Sequence, residues 1–170
     1  YGHTSQAQLH LGQTTAGDGL QRQASVFYTR PLAGDGFVNL TAELRDRGAT
    51  NRAEPDPLDS GRTNLHFGDA DTQDALLAWN AEIPRGDTTL YAHGQASRRH
   101  SSAGAYFRPA DDERNLPSLY PQGFLPRIEP RISDLSATLG AKGQWADGTQ
   151  WNLSYTGGAN DFHFYVAHSI

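Results

Sequence analysis

In the stretch Gly36-Phe37-Val38-Asn39-Leu40-Thr41-Ala42-Glu43-Leu44-Arg45, apolar and polar residues alternate without a break from Val38 onward. An extended strand sends successive side chains to opposite faces, so Val38, Leu40, Ala42 and Leu44 share one face while Asn39, Thr41, Glu43 and Arg45 share the other. The same period runs outward in both directions. Upstream it gives Ala7, Leu9 and Leu11, then Ala24, Val26 and Tyr28. Downstream it gives Ala75, Leu77, Trp79, Ala81 and Ile83, where Leu76 and Ala78 blur the polar side, and then Leu90, Ala92, Gly94 and Ala96. Leu135, Ala137, Leu139 and Ala141 follow, then Trp151, Leu153 and Tyr155, and finally Phe162, Phe164 and Val166. No stretch shows a capped 3.6-residue period. The expected fold is all-β, an antiparallel up-and-down meander of about eight strands.

Turn chemistry separates the strands. Ala16-Gly17-Asp18-Gly19 and Ala33-Gly34-Asp35-Gly36 repeat one tetrapeptide, and Asp-Gly is a strong hairpin signal. Pro84-Arg85-Gly86-Asp87, Ala146-Asp147-Gly148 and Gly157-Gly158-Ala159-Asn160 read as further tight reversals. Two connections are long, about residues 48–73 and 101–131. As the third and fifth connections, they fall at one end of a meander, with short turns at the other. That asymmetry belongs to a transmembrane β-barrel, whose long loops face outside. The first and seventh connections are short and fit the pattern less well.

Composition is compatible with this reading. The 170 residues are 36% hydrophobic, with 18 Gly and 9 Pro, and the mean hydropathy is −0.64. No apolar run reaches the ~18 residues of a spanning helix, but a spanning strand needs only ~9–11 residues with alternate positions apolar. Trp79, Tyr106, Phe107, Trp145, Trp151 and Tyr155 fall near strand ends, where an interfacial girdle would place them. The opposite faces carry Glu43, Arg45, His93, Gln95, Arg99 and Lys142, which suits a hydrated lumen. A soluble β-sandwich, such as a carbohydrate-binding module, alternates in the same way, and a complete eight-stranded barrel fits the strand count.

The net charge of −5 and the absence of basic blocks argue against nucleic acid as a partner. With no cysteine, thiolate zinc sites and Cys nucleophiles are excluded. No catalytic motif is found, so neither an enzyme nor a cofactor is expected. His3, His10, His66, His93, His100, His163 and His168 are scattered, with His163 and His168 expected on opposite faces of one strand. The acidic segment from Arg52 to Asp74 lacks calcium-loop spacing, so no metal site is expected and a solvated outer loop is.

The run Phe107-Arg108-Pro109-Ala110-Asp111-Asp112-Glu113-Arg114-Asn115, followed by Leu119-Tyr120-Pro121-Gln122-Gly123-Phe124-Leu125-Pro126-Arg127-Ile128, resembles an extracellular-loop signature of TonB-dependent outer-membrane receptors. Phe37 to Arg52, Asp134-Leu135-Ser136 and Asn152-Leu153-Ser154-Tyr155 are similar to strand sequence of the same family. The resemblance implies the early part of a barrel of about 22 strands, in the bacterial outer membrane. Neither the family's plug domain nor its TonB-contacting box is recognisable, so the chain is expected to be a fragment of a larger barrel. Implied partners are outer-membrane lipid and lipopolysaccharide, the TonB complex through the missing plug, and a scarce large solute such as a ferric siderophore. Candidate ligand contacts are Arg99, Arg108, Arg114 and Arg127, which could attract an anionic chelate, and Tyr106, Phe107, Tyr120 and Phe124, which could stack on it. Pairing of the arginines with Asp111, Asp112 and Glu113 or with anionic lipopolysaccharide at the surface, and self-packing of the proline-rich loop, are the competing roles.

Overall fold

A computed structural model describes residues 4–57, 59 and 61–170. It is all-β: β1 (Thr4–Gly12), β2 (Gln21–Leu32), β3 (Gly36–Arg47), β4 (Asp71–Arg85), β5 (Thr88–Gly104), β6 (Arg127–Ile128), β7 (Arg131–Gln144), β8 (Gln150–His163) and β9 (Val166–Ala167). Every pairing is antiparallel, and the long strands follow in the order β1-β2-β3-β4-β5-β7-β8. β6 lies on the edge of β5 that β7 also uses, opposite Ala103 and Gly104, and β9 lies beside β6. Pro130 separates β6 from β7 because it has no amide to donate, although its carbonyl still accepts from Ser101 at 3.1 Å. Two-residue β6 and β9 therefore prolong the ribbons of β7 and β8 past short breaks.

This geometry corrects the expected eighth strand. Gly157-Gly158-Ala159-Asn160 is not a turn but lies inside β8, opposite Ala137, Ser136, Leu135 and Asp134. Neither glycine adopts positive φ, and the Asn160 amide donates to the Asp134 carboxylate at 2.6 Å, so the ladder carries through. Phe162 and His163 consequently end β8, while His168 lies beyond β9 with φ 50°, not on a strand with His163. The long connections are shorter than expected, 48–70 and 105–126, because Asp71 and Asp74 belong to β4 and β5 extends to Gly104. His3 lies outside the described residues.

The rims are now unambiguous. Segments 13–20, 48–70 and 105–126 occupy one end, and 33–35, 86–87 and 145–149 occupy the other. The repeated tetrapeptide does two jobs. Gly34 and Asp35 both take positive φ, 71° and 61°, closing the tight β2–β3 hairpin. Gly17 and Gly19 bend the longer 13–20 loop, which leaves the Asp18 side chain free to bond elsewhere.

Register aligns the apolar residues across the whole sheet. Val26 faces Ala42, Ala42 faces Leu77, Leu77 faces Ala96 and Ala96 faces Leu135. From Ile83 to Ala75 this apolar face runs about 27 Å along β4 at ~3.4 Å per residue. Trp79 covers Gly94 on it, filling a place where a Cβ would collide with the indole.

Buried apolar side chains are few, Phe37 and Phe124 among the described residues. The accessible surface is 11716 Å², against about 8,200 Å² for an ordinary folded chain of this mass. The excess arises because one sheet carries the whole fold: no second layer covers it among the described residues, as a sandwich would require. β1 and β8 each pair along one edge, so the sheet is not closed, and the complete eight-stranded barrel is not what forms.

Candidate functional site

The polar face is the more enclosed one. The Glu43 side chain retains 17% exposure, whereas Leu44, its neighbour on the opposite face, retains 62%. Glu43 accepts from Gln23 at 2.7 Å and pairs with Arg45 at 2.6 Å. Some contacts reach over an intervening strand. Lys142 on β7 pairs with Glu82 on β4 at 2.6 Å, passing over Tyr91 of β5, and the Tyr91 hydroxyl donates to Asn152 on β8 at 2.7 Å. Tyr91 also fills the space above Gly140. These bonds satisfy charges that an apolar environment would penalise, and they brace the polar face near the short-turn rim.

At the loop rim the polar face opens into a cavity of about 400 Å³, with His10, Gln23, Arg45, Arg47, Asp74 and Arg99 on its wall. Asp74 holds Arg99 through two bonds, 2.6 Å to Nε and 3.0 Å to Nη2. Arg47 approaches Asp69 at 3.6 Å, and its buried Nε has no hydrogen-bond partner among the described residues. Such a wall, with several guanidinium groups and bound carboxylates, can accept an anionic or hydrogen-bonding solute. A second cavity of about 890 Å³ lies at the same rim, lined largely by residues that share the parity of the apolar face.

Of the candidate ligand contacts, Arg99 alone lies on this wall; the others belong to the 105–126 loop or to β6. Tyr106 is 80% exposed. Arg108 and Phe124 exchange backbone bonds at 2.8 and 2.9 Å, while Phe124 is buried and stacks on Tyr120 at 4.5 Å. Phe107 packs beside Gly123, whose φ of 79° closes the turn from Tyr120. Arg114 grips Asp112 with two bonds of 2.9 Å, and Arg127 donates to Ser102 at 2.9 Å. Most of these groups thus hold the loop together. Hydrogen bonds from the Arg114 side chain, and then from its amide, lower Asp112 to about 2.

The 13–20 and 48–70 loops are also joined. Asp18 accepts from Arg52, Thr14 and the Asn51 amide, which together hold its carboxyl well below the usual range. Within 48–70, Asn51 bonds the amides of Ala53 and Phe67, and Asp59 accepts from Asn64. No group of three or more metal-ligating side chains occurs among the described residues.

Sequence reasoning placed Asp74 in an acidic loop and so missed its bond to Arg99. The signal was the alternation Thr72, Asp74, Leu76, Ala78, which continues the β4 period two turns of the pleat earlier. Compared with protein-family models, with curated proteins and with solved structures, the chain matches none.

Proposed function

We propose that this sheet is part of the wall of an outer-membrane β-barrel, and that the barrel is a TonB-dependent receptor importing a scarce solute such as a ferric siderophore. The observation that carries the membrane reading is the inversion between Glu43 and Leu44: the carboxylate is sheltered and the leucine is bare. A water-soluble sheet reverses that preference. An apolar band of about 27 Å matches the ~25 Å band of known membrane barrels. Trp151 lies on the apolar face at the short-turn rim, level with Arg85 and just past the end of the band, as an interfacial aromatic requires, whereas Tyr28 and Trp79 sit level with each other at its middle.

The choice of receptor class rests on the Tyr120 to Ile128 resemblance. In this reading the sheltered polar face lines the lumen, the 48–70 and 105–126 loops meet solute outside, and further strands pair with the edges of β1 and β8. Such pairing would also remove two edges that invite aggregation.

Folding the full chain into phosphatidylcholine vesicles tests the membrane reading. Protease added outside should cut within the loops and spare the strands; cleavage throughout β3 and β4 would sink it. The receptor assignment is tested in cells under iron limitation. Loss of ferric-siderophore uptake on deleting the encoding gene is expected, and unchanged uptake of every siderophore supplied would refute iron import.

A further inference from the structure

We infer that the β2–β3 turn is a modification site, at which Asp35-Gly36 converts spontaneously to an isoaspartyl linkage, and that its unheld carboxyl singles it out from the other Asp-Gly turns. Asp-Gly occurs three times, at residues 18–19, 35–36 and 147–148. Each pair carries the same local chemistry, because glycine has no side chain to hinder attack by its own amide nitrogen. The dipeptide alone does not distinguish them.

The surroundings do. The Asp18 carboxylate accepts from Arg52, from the Thr14 hydroxyl and from the Asn51 amide, and Asp147 accepts from the Thr149 amide at 2.9 Å. Both carboxyls are held ionised, Asp18 chiefly by Arg52 and Asp147 chiefly by the Thr149 amide. An ionised carboxylate is a poor electrophile, and one fixed by hydrogen bonds must first be released. Asp35 is exposed, and its carboxylate has no hydrogen bond or ion pair among the described residues.

The fold also keeps a less reactive pair of residues out of this turn. Residue 35 has a φ of 61°, which confines it to the few types that tolerate a left-handed backbone. Residue 36 is buried, and a Cβ there would meet the Glu82 carbonyl oxygen at 2.7 Å and Pro84 Cδ at 3.3 Å. No larger side chain can shield the amide.

The reaction needs only water. The Gly36 nitrogen attacks the side-chain carboxyl carbon of Asp35 in its neutral acid form: the N–C bond forms, the C–OH bond breaks, and the hydroxyl leaves as water with the amide proton. Water then adds to the five-membered imide. Where it opens the bond between that nitrogen and the main-chain carbonyl carbon, the chain runs on through the side-chain carbonyl and the α-carboxylate is freed. The three-residue loop 33–35 gains one C–C bond, about 1.5 Å, beside the Leu32 and Gly36 pair and the buried Phe37.

To test this, the folded full chain is aged in mildly acidic buffer with neutral detergent and digested, and its peptides are assayed with an isoaspartyl-specific carboxyl methyltransferase and a labelled methyl donor. Residue 35 is expected to carry about tenfold more isoaspartate than residue 18 or 147, the factor by which one charge-assisted hydrogen bond slows release of a carboxylate. The same chain aged in urea should label alike at all three positions. Arg52→Ala, which frees Asp18, should raise labelling at residue 18. Equal labelling of the three sites in the folded chain, more label at 18 or 147 than at 35, or an Asp18 indifferent to Arg52→Ala overturns the inference. So does an unlabelled residue 35 in the folded chain when the urea-treated chain is labelled there. Should the variant fail to fold, the comparison of folded and urea-treated chain still decides. These outcomes are independent of the membrane reading.

Discussion

The guanidinium of Arg52 holds both carboxylate oxygens of Asp18, with Nη1 2.5 Å from Oδ2 and Nη2 3.0 Å from Oδ1. The bond links residues on two different loops and is reinforced by the Asn51 amide at 2.9 Å. It makes the 13–20 and 48–70 loops a single rim feature.

Removing either partner should loosen that feature without unfolding the sheet. For Asp18→Ala or Arg52→Ala, hydrogen exchange across the 48–70 loop is expected to rise about two- to fivefold, the scale of an exposed pair. Exchange in β3 and β4 should stay unchanged. Equal acceleration in strands and loops would show that the pair supports the whole fold instead.

Acid should release the loops in a defined order. The Asp112 carboxyl is lowered to about 2 from 3.8 by Arg114. Its stabilisation is therefore complete above about pH 4 and is lost as pH falls through 2. Asp18 is lowered further by Arg52, so its contribution persists to lower pH than that of Asp112. The arginines stay charged throughout. NMR titration of the 105–126 and 13–20 loops checks both: loosening of either loop on raising the pH from 4 to 7 would contradict the sign.

Phe124→Ala should open the 105–126 loop, because large-to-small changes at buried phenylalanine cost roughly 3–5 kcal/mol and Phe124 is 8% exposed. Gly123→Ala attacks the same unit through the backbone: a Cβ there meets the Arg108 carbonyl at a φ of 79°. Strain of this type costs about 1–3 kcal/mol. Exchange protection of the Arg108 and Phe124 amides should fall in both variants, and retained protection would refute the self-packed loop.

Leu77 and Ala78 are neighbours on opposite faces. If the apolar face meets lipid, Leu77→Arg should cost about 2–4 kcal/mol of folding stability in vesicles, as charges do near the bilayer midplane. Ala78→Arg, facing the lumen, should cost much less. Urea titrations in vesicles measure the difference, and a larger penalty at Ala78 would invert the assignment of faces.

Alternation makes the faces of β3, β4, β5 and β7 legible in the sequence, since the period of 2 assigns Leu40 and Glu43 to opposite sides whatever their neighbours are. The hairpin at Gly34-Asp35-Gly36 was likewise readable, because tolerance of positive φ is a local property, although the positive φ falls on Gly34 and Asp35 and Gly36 already opens β3. Gly157-Gly158 was misread for the converse reason: glycine permits a turn but does not impose one, and pairing with Leu135 and Ser136 kept it extended. The candidate loop residues were found, but their partners were not. Arg114 with Asp112 was among the pairings weighed; Phe124 with Tyr120, and Arg108 with Phe124, depend on how the loop doubles back.

By itself, then, the sequence determined the all-β class, the two faces and the position of the long connections, all of which follow from local backbone preference and side-chain period. Only the tertiary structure decided register, the open edges and the joining of Arg99 to Asp74 and Arg52 to Asp18. Those depend on which strands pair and where loops meet, and no local preference specifies a partner that lies 25 or 34 residues away in the chain.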